Sequence, residues 1–191
     1  VGSEMCIRDS IETAILHFQQ ALKHDGAHPA AIIALEKLAR DRRDNTLLAD
    51  LLQRRVAAVT VSAERIALLV EVADLERKAG RIDAALVALA RAANEAPTDP
   101  RVLAPLADLF FASNRLDEAA PIYDQLAEDA KAGRRMKDVA RFRQRQGAIL
   151  EARGDQTGAL AAYEEALRVN PTDITTMTGL GRLYLALEDW E

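Results

Sequence analysis

The chain has 191 residues, of which 25 are Lys or Arg, 30 are Asp or Glu, and 49% are hydrophobic. No apolar run approaches the roughly 20 residues that a membrane-spanning helix needs. The net charge of -5 lacks the basic excess typical of nucleic-acid binding. With 9 Gly and 6 Pro among abundant Ala and Leu, the composition favours an all-α protein, and we expect neither a membrane span nor a nucleic-acid partner.

The first ten residues differ from the rest of the chain. Val1 to Ser10 shows no helical periodicity and resembles the translation of a transposase sequencing adapter. We interpret residues 1–10 as a non-native scar and set them aside together with Cys6, the one cysteine of the sequence. On this interpretation the true N-terminus is missing and both ends fall within repeats. The sequence therefore leaves open whether the protein is cytoplasmic or periplasmic.

From residue 11 onward the sequence predicts pairs of helices joined by tight turns. Apolar residues recur three or four positions apart, which is the spacing of one helix face. We divide this part into a partial unit, four full units and a truncated unit: 11–28, 29–65, 66–99, 100–139, 140–173 and 174–191. The units that begin at residues 29 and 100 are about one and two helical turns longer than the others, so we expect lengthened helices there.

An internal repeat is defined by residues that share an aligned position, or column, in successive units. The columns, spaced by 34 or 40 residues, are Ala73, Ala107, Gly147 and Gly181 on first helices; Ala85, Ala119 and Ala159 on second helices; Leu89, Tyr123 and Tyr163 one turn later; and Gly80, Asn114, Gly154 and Glu188 in the turns. Small residues let two helix backbones approach, and the large residue fills the adjacent space. Glu36 stands where the unit 29–65 should have a small residue.

Two helix starts carry clear signals. Asp99 precedes Pro100, and Asp173 follows Pro171 in the related string Asn-Pro-Thr-Asp. Asp is a favoured N-cap residue, and Pro suits the first helical position because it has no N–H to leave unsatisfied. We therefore predict that helices begin after Asp99 and after Asp173.

These motifs resemble the tetratricopeptide repeat. Residues 180–184, Leu-Gly-Arg-Leu-Tyr, match the first-helix motif of that family, and Ala159, Tyr163 and Pro171 match the second-helix motif. The resemblance covers roughly residues 11–191. It implies an all-α fold, a single right-handed superhelical solenoid of antiparallel helix hairpins, and a concave groove in which first helices bind peptides.

The face opposite the packing columns predicts the residues of this groove. They are Asp74, Arg77, Arg101, Ala104, Asp108, Phe111, Gln144, Ala148, Glu151, Thr178 and Arg182. One tetratricopeptide subfamily binds the C-terminal carboxylate of chaperones with a paired Lys and Asn. None of the corresponding pairs on the first helices here has those residues, so we expect no chaperone-tail binding.

A basic run lies around the start of the unit 140–173. It comprises Arg134, Arg135, Lys137, Arg141, Arg143 and Arg145. Because Lys137, Arg141 and Arg145 are four residues apart, they share a helix face. We favour a solvated face on a lengthened helix. The alternative is a docking patch for an acidic segment or a phosphorylated partner.

Residues suited to catalysis or metal binding are few. His24 and His28 are four apart, but an inter-repeat turn separates them and no Cys or Glu joins them. Ser62 and Ser113, the two serines after residue 10, have no His in the same unit. We therefore expect no metal, no cofactor and no catalytic residues.

Three functions remain open on these observations. The first is a bacterial, non-catalytic scaffold that binds a protein or peptide segment in its concave groove. The second is the recognition or regulatory repeat region of a larger enzyme or signalling protein whose catalytic domain lies outside these residues. The third is a self-associating structural module, because unpaired terminal hairpins would expose apolar faces. Partner identity and oligomeric state stay open.

Overall fold

A computed structural model of the protein describes the backbone of residues 2–187 and the side chains of residues 13–187. Every regular element in residues 2–187 is an α-helix, which confirms the predicted all-α fold. The helices are α1 (Gly2–His24), α2 (Pro29–Arg42), α3 (Asn45–Ala58), α4 (Ser62–Lys78), α5 (Ile82–Glu95), α6 (Pro100–Ala112), α7 (Leu116–Ala132), α8 (Met136–Ala152), α9 (Gln156–Val169) and α10 (Ile174–Leu187). Within this range, none is both long and apolar enough to cross a bilayer.

The chain divides into two compact units, residues 1–98 and residues 99–191. In the first unit each helix from α1 to α5 packs on the next one in the chain. In the second unit the same holds from α6 to α10, and α10 also contacts α8. Because the connections are short, neighbouring helices run antiparallel and form the hairpins α2–α3, α4–α5, α6–α7 and α8–α9. The single solenoid over residues 11–191 stays a prediction.

The extra residues of the two long units lengthen helices, as predicted. The helices α4, α7 and α8 have 17 residues each, whereas α2, α3, α5, α6 and α9 have 13 or 14. The helix α4 begins at Ser62 and α8 at Met136, four residues before the unit starts assigned from the sequence. The helix α1 begins at Gly2, so its backbone shows no break between residues 10 and 11.

The predicted turn residues adopt the left-handed conformation that ends a helix. The backbone angle φ is +75° at Gly80, +57° at Asn114 and +80° at Gly154, while Glu188 lies outside the described residues. Arg43 occupies the same place between α2 and α3, with φ of +55°. This position could not be predicted from the sequence, because an arginine carries no signal for a left-handed turn.

The predicted helix starts are also confirmed. Asp99 accepts a hydrogen bond from the backbone N of Arg101 at 2.9 Å, and Pro100 is the first residue of α6. Asp173 accepts from the backbone N of Thr176 at 2.9 Å, at the start of α10. Each carboxylate satisfies an N–H group that has no partner within its helix.

The predicted columns lie in the cores of the hairpins α4–α5, α6–α7 and α8–α9. Ala85, Ala119 and Ala159 are wholly buried. Tyr123 is also wholly buried, and Tyr163 is 2% exposed. Small residues on one helix thus accommodate large ones on its neighbours, as the repeat pattern requires.

The ring of Tyr163 requires two glycines beside it. A Cβ atom placed on Gly147 would lie 2.6 Å from the ring, and one placed on Gly179 would lie 2.7 Å from it. Both distances are too short for real carbon contacts, so the ring occupies the space of two missing side chains, one on α8 and one on α10. Gly181 shares the column of Gly147, yet a Cβ there would meet no atom within 4 Å.

The two glycines of this column should therefore respond oppositely to alanine. We expect Gly147→Ala to lower the free energy of unfolding, because overpacking costs about 1–3 kcal/mol and outweighs the gain in helix propensity. We expect Gly181→Ala to be neutral or to stabilise by up to about 1 kcal/mol. Urea unfolding followed by circular dichroism measures both; equal shifts for the two variants would contradict this packing.

Glu36, the exception to the small-residue column, is part of a buried ion pair. Its side chain is 8% exposed, and Arg55 on α3 donates from Nη1 to its Oε2 at 3.1 Å. The other nitrogen of Arg55, Nη2, donates to Glu64 at 2.6 Å. Within the described part of the chain, Oε1 of Glu36 is buried without a hydrogen-bond partner. An ion pair thus replaces the close contact of two helix backbones at this position.

Candidate functional site

A polar cluster surrounds Asp108 on the first helix α6. The Tyr123 hydroxyl on α7 donates to Oδ1 of Asp108 at 2.6 Å, and Arg141 on α8 donates to Oδ2 at 3.1 Å. The Nε atom of Arg145 lies 3.9 Å from Oδ1. The pKa of Tyr123 is raised mainly by burial and secondly by the hydrogen bond to Asp108. The hydroxyl therefore stays protonated and acts as the donor. Three helices are joined through one carboxylate.

The same arrangement recurs one repeat later. Glu151 on α8 accepts a hydrogen bond from the Tyr163 hydroxyl on α9 at 2.8 Å and two from Arg182 on α10, each at 3.1 Å. The Arg182 guanidinium holds the pKa of Glu151 below its usual range. In both clusters an acid on a first helix binds a Tyr on its own second helix and an Arg on the following first helix.

Aromatic rings help to orient the two arginines of the Asp108 cluster. The guanidinium of Arg145 lies 4.8 Å above the ring of Phe111, and that of Arg141 lies 5.1 Å from the ring of Phe142. Stacking of this kind attracts a cation to the ring face. Both guanidinium groups are therefore held by an aromatic face as well as by a carboxylate.

A cleft of about 330 Å³ opens between α8 and the start of α10. It is lined by Lys137, Ala140, Arg141, Gln144 and Arg145 from α8, and by Ala166, Asn170, Asp173, Thr175 and Thr176 from the opposite wall. All three cations lie on the α8 wall. Lys137 has no ion-pair or hydrogen-bond partner within residues 13–187, whereas Asp173 is engaged in capping α10.

The structure separates the basic run into three places. Lys137, Arg141 and Arg145 share one face of α8, as predicted, and this face borders the cleft. The spacing alone identified the shared face, but the cleft depends on how α9 and α10 pack against α8. Both interpretations of this face, a solvated surface or a docking patch, stay predictions.

The remaining members of the run lie elsewhere. Arg143 is largely buried and pairs with Glu128 on α7 and with Glu165 on α9, so it stabilises the packing of three helices. Arg134 and Arg135 lie in the turn before α8, where Arg134 has φ of +54°. Neither Arg134 nor Arg135 lines the cleft.

Four predicted groove residues of the second unit, Asp108, Phe111, Glu151 and Arg182, belong to these clusters, and Gln144 lines the cleft. The other four lie elsewhere. Ala104 is only 9% exposed, so its assignment to the groove is wrong: the side chain faces the interior of the unit. Ala148 is partly buried and packs against the core cluster of Tyr163. Arg101 is 85% exposed and pairs with Asp99 at 2.7 Å. Thr178 is exposed and donates to a carbonyl of its own helix.

In the first unit, Asp74 and Arg77 pair with each other on α4 at 2.7 Å, and Asp74 also pairs with Lys78. The hydrogen bond from Lys78, and to a smaller extent that from Arg77, lowers the pKa of Asp74. The side chains of Asp74 and Arg77 are 44% and 54% exposed. Exposed pairs of this kind contribute about 0–1 kcal/mol, so they define a polar surface rather than a structural anchor.

The histidines have no arrangement suited to a metal. His28 is the N-cap of α2, where Nδ1 accepts from the backbone N of Ala31 at 3.3 Å. Within residues 13–187, no group of three or more His, Cys, Asp or Glu side chains is placed to hold a metal ion. His28 thus has a structural role at a helix start.

The middle of the chain matches a known repeat family. A sequence model of the tetratricopeptide repeat family matches residues 76–141, which include α5, α6 and α7. These residues are therefore similar to tetratricopeptide repeats. The resemblance inferred from the motifs is confirmed for this segment, and tetratricopeptide repeats generally mediate protein–protein interaction on a scaffold-type fold.

Comparisons with individual proteins extend this result. Cellulose synthase operon protein C of Pseudomonas fluorescens (strain SBW25) is 35% identical over 91 residues, which cover 47% of this chain and 7% of that protein. The chain therefore spans a small fraction of this relative's length. BtubC from P. vanneervenii has a TM-score of 0.66 at 18% identity, over 95% of this chain and 83% of that one.

A further solved structure has a similar fold. YrrB, described as a TPR protein with an unusual peptide-binding site, has a TM-score of 0.64 at 15% identity, over 92% of this chain and 86% of that one. At these identities the likeness to BtubC and YrrB shows the fold alone. The all-α fold of tetratricopeptide-type hairpins is thereby supported over most of the chain.

Proposed function

We propose that the chain is a non-catalytic scaffold that binds a peptide or protein segment on its first helices. In the second unit the binding surface is the α8 wall of the cleft together with the start of α10. The observation that carries this proposal is the cleft itself, which has an open volume of about 330 Å³. Its α8 wall holds Lys137, which has no partner in the described residues, and Arg141 and Arg145, which share the carboxylate of Asp108. Pockets that bind small ligands have volumes of about 300–1,000 Å³, so this cleft accommodates part of a segment.

The rigidity of the surface supports the proposal. Asp108 and Glu151 tie successive helices together, and the rings of Phe111 and Phe142 support the arginines. A surface whose side chains are already ordered loses less conformational entropy when a partner binds. The carboxylates in these clusters pair with Arg and Tyr across helices, which supports a structural role for them.

A second candidate function is the recognition arm of a longer protein. The observation that favours it is the length of cellulose synthase operon protein C, of which the matched segment covers 7%. In such a protein the same surface of α8 and α10 would capture a partner while another region performs the chemistry. Both candidates use the same binding surface and share the following test.

The test is selection of a displayed random-peptide library on the full chain, followed by binding to two Trp variants. Gln144→Trp would fill the cleft, whereas Gln156→Trp adds the same ring at an exposed position at the start of α9. We expect selected peptides to lose at least about tenfold in affinity for Gln144→Trp and to bind Gln156→Trp like the parent. Equal binding to both variants, or a failure to select any peptide, would contradict the proposal.

A further inference from the structure

We propose that the cleft beside α8 recognises an extended acidic segment in which every second residue is Asp or Glu. The inference rests on the proposed function and names the chemistry of the segment. It depends on three features of the second unit: the charge of the α8 wall, the spacing of its cations and the size of the cleft.

The charge of the α8 wall favours an anionic partner. Lys137 has no partner in the described part of the chain, while Arg141 and Arg145 share the single carboxylate of Asp108. Each guanidinium has five N–H donors, so both arginines keep donors for a second acceptor. Asp173, on the opposite wall, already accepts from the backbone N and the hydroxyl of Thr176. Three cations thus face two carboxylates that are both engaged.

The contact with Asp108 shows which anion the arginines accept. Arg141 binds a carboxylate oxygen at 3.1 Å while its guanidinium stays beside the ring of Phe142. Arg145 faces the other oxygen of Asp108 from above Phe111. Carboxylates from a bound segment can approach the same guanidinium groups from the cleft side without loss of the stacking.

The spacing of the cations sets the spacing of the acids. Lys137, Arg141 and Arg145 follow each other at four-residue intervals, which correspond to a rise of about 6 Å per step along α8. In an extended segment, side chains two residues apart point to the same side and lie about 6.6 Å apart. One acid at every second position therefore matches one cation per helical turn.

The size of the cleft favours an extended segment over a helix. A helix with acids four residues apart would have the same spacing, but its diameter is about 10–12 Å. An extended segment is narrower, since neighbouring strands of a sheet lie only about 4.8 Å apart. It can therefore place its acidic edge deeper in the cleft of about 330 Å³ between α8 and the start of α10.

The experiment compares two fluorescent peptides of identical composition on the full chain. One has Glu at every second position, and the other has the same number of Glu at every third position, where successive acids point to opposite sides of an extended chain. Both are C-terminally amidated. We expect the alternating peptide to bind at least about tenfold more tightly by fluorescence anisotropy, with affinity that falls as salt is raised to about 0.15 M.

Paired charge reversals locate the binding. Arg141→Glu with Arg145→Glu should weaken the alternating peptide at least about tenfold. Arg134→Glu with Arg135→Glu makes the same charge change outside the cleft and should leave the affinity within about twofold. If circular dichroism shows that the first pair unfolds the chain, Arg141→Gln with Arg145→Gln replaces it.

Asp108→Asn, which removes the carboxylate that competes for the two arginines, should tighten binding of the alternating peptide by about two- to fivefold.

Several outcomes would overturn the inference. Equal affinity for the two peptides would mean that acid spacing is not recognised, and equal losses in the two reversal pairs would mean unspecific attraction. Binding that requires a free C-terminus, or a phosphoserine in place of Glu, would assign the cleft to a different anion. If library peptides bind at Gln144 but lack alternating acids, the proposed function stands and this inference fails.

Discussion

Replacing Tyr123 by Ala is expected to lower the free energy of unfolding by about 3–5 kcal/mol. The side chain is wholly buried, its ring contacts Phe111 edge-on at 6.5 Å between centroids, and Phe142 lies at 6.2 Å. Truncation removes this apolar contact area and leaves a cavity between α6, α7 and α8, which the helices cannot close completely. Urea unfolding followed by far-UV circular dichroism gives the free energy.

The matched control is Tyr123→Phe, which keeps the ring and removes the hydrogen bond to Asp108. We expect a loss of about 1 kcal/mol, because Asp108 is 40% exposed and water can replace the hydroxyl. Hydrogen exchange should place the faster opening of the Ala variant in α6, α7 and α8. If Tyr123→Ala and Tyr123→Phe had the same free energy of unfolding, the ring would not stabilise the packing of these helices.

Much of the fold follows from local patterns in the sequence. Gly80, Asn114 and Gly154 adopt the turn conformation that their residue types favour. Arg43 adopts the same conformation although its type disfavours it, because the packing of α2 on α3 fixes the turn. The early starts of α4 and α8 could not be predicted from the repeat, because their first turns contain no residue of an aligned column.

The site was predicted only in part. The spacing of Lys137, Arg141 and Arg145 identified their common face, since helical periodicity alone determines it. The partnership of Asp108 with Tyr123 could not be predicted, because it joins residues on different helices through side-chain rotamers. The pairing of Asp108 with Arg141 and of Glu151 with Arg182 was equally hidden, because the separations of 33 and 31 residues differ from the repeat spacing of the columns.

Replacing Arg55 by Met is expected to destabilise the first unit by about 3–5 kcal/mol. Arg55 donates the hydrogen bond that Glu36 receives, and the other carboxylate oxygen of Glu36 already lacks a partner in the described residues. Met retains the apolar stem of Arg55 but removes the charge. The variant therefore leaves the Glu36 side chain, which is 8% exposed, without the cation that is hydrogen-bonded to it. Urea unfolding measures the loss.

The reciprocal change should behave differently, and this asymmetry distinguishes an ion pair from simple packing. In Glu36→Met, Arg55 stays 35% exposed and still binds Glu64 at 2.6 Å, so we expect a change within about 1 kcal/mol. Adding Glu36→Met to Arg55→Met should restore most of the lost stability, because no buried charge remains. Strictly additive losses in this double-mutant cycle would contradict the coupling. Recovery would show that the pair replaces the small residue of other repeats without adding net stability.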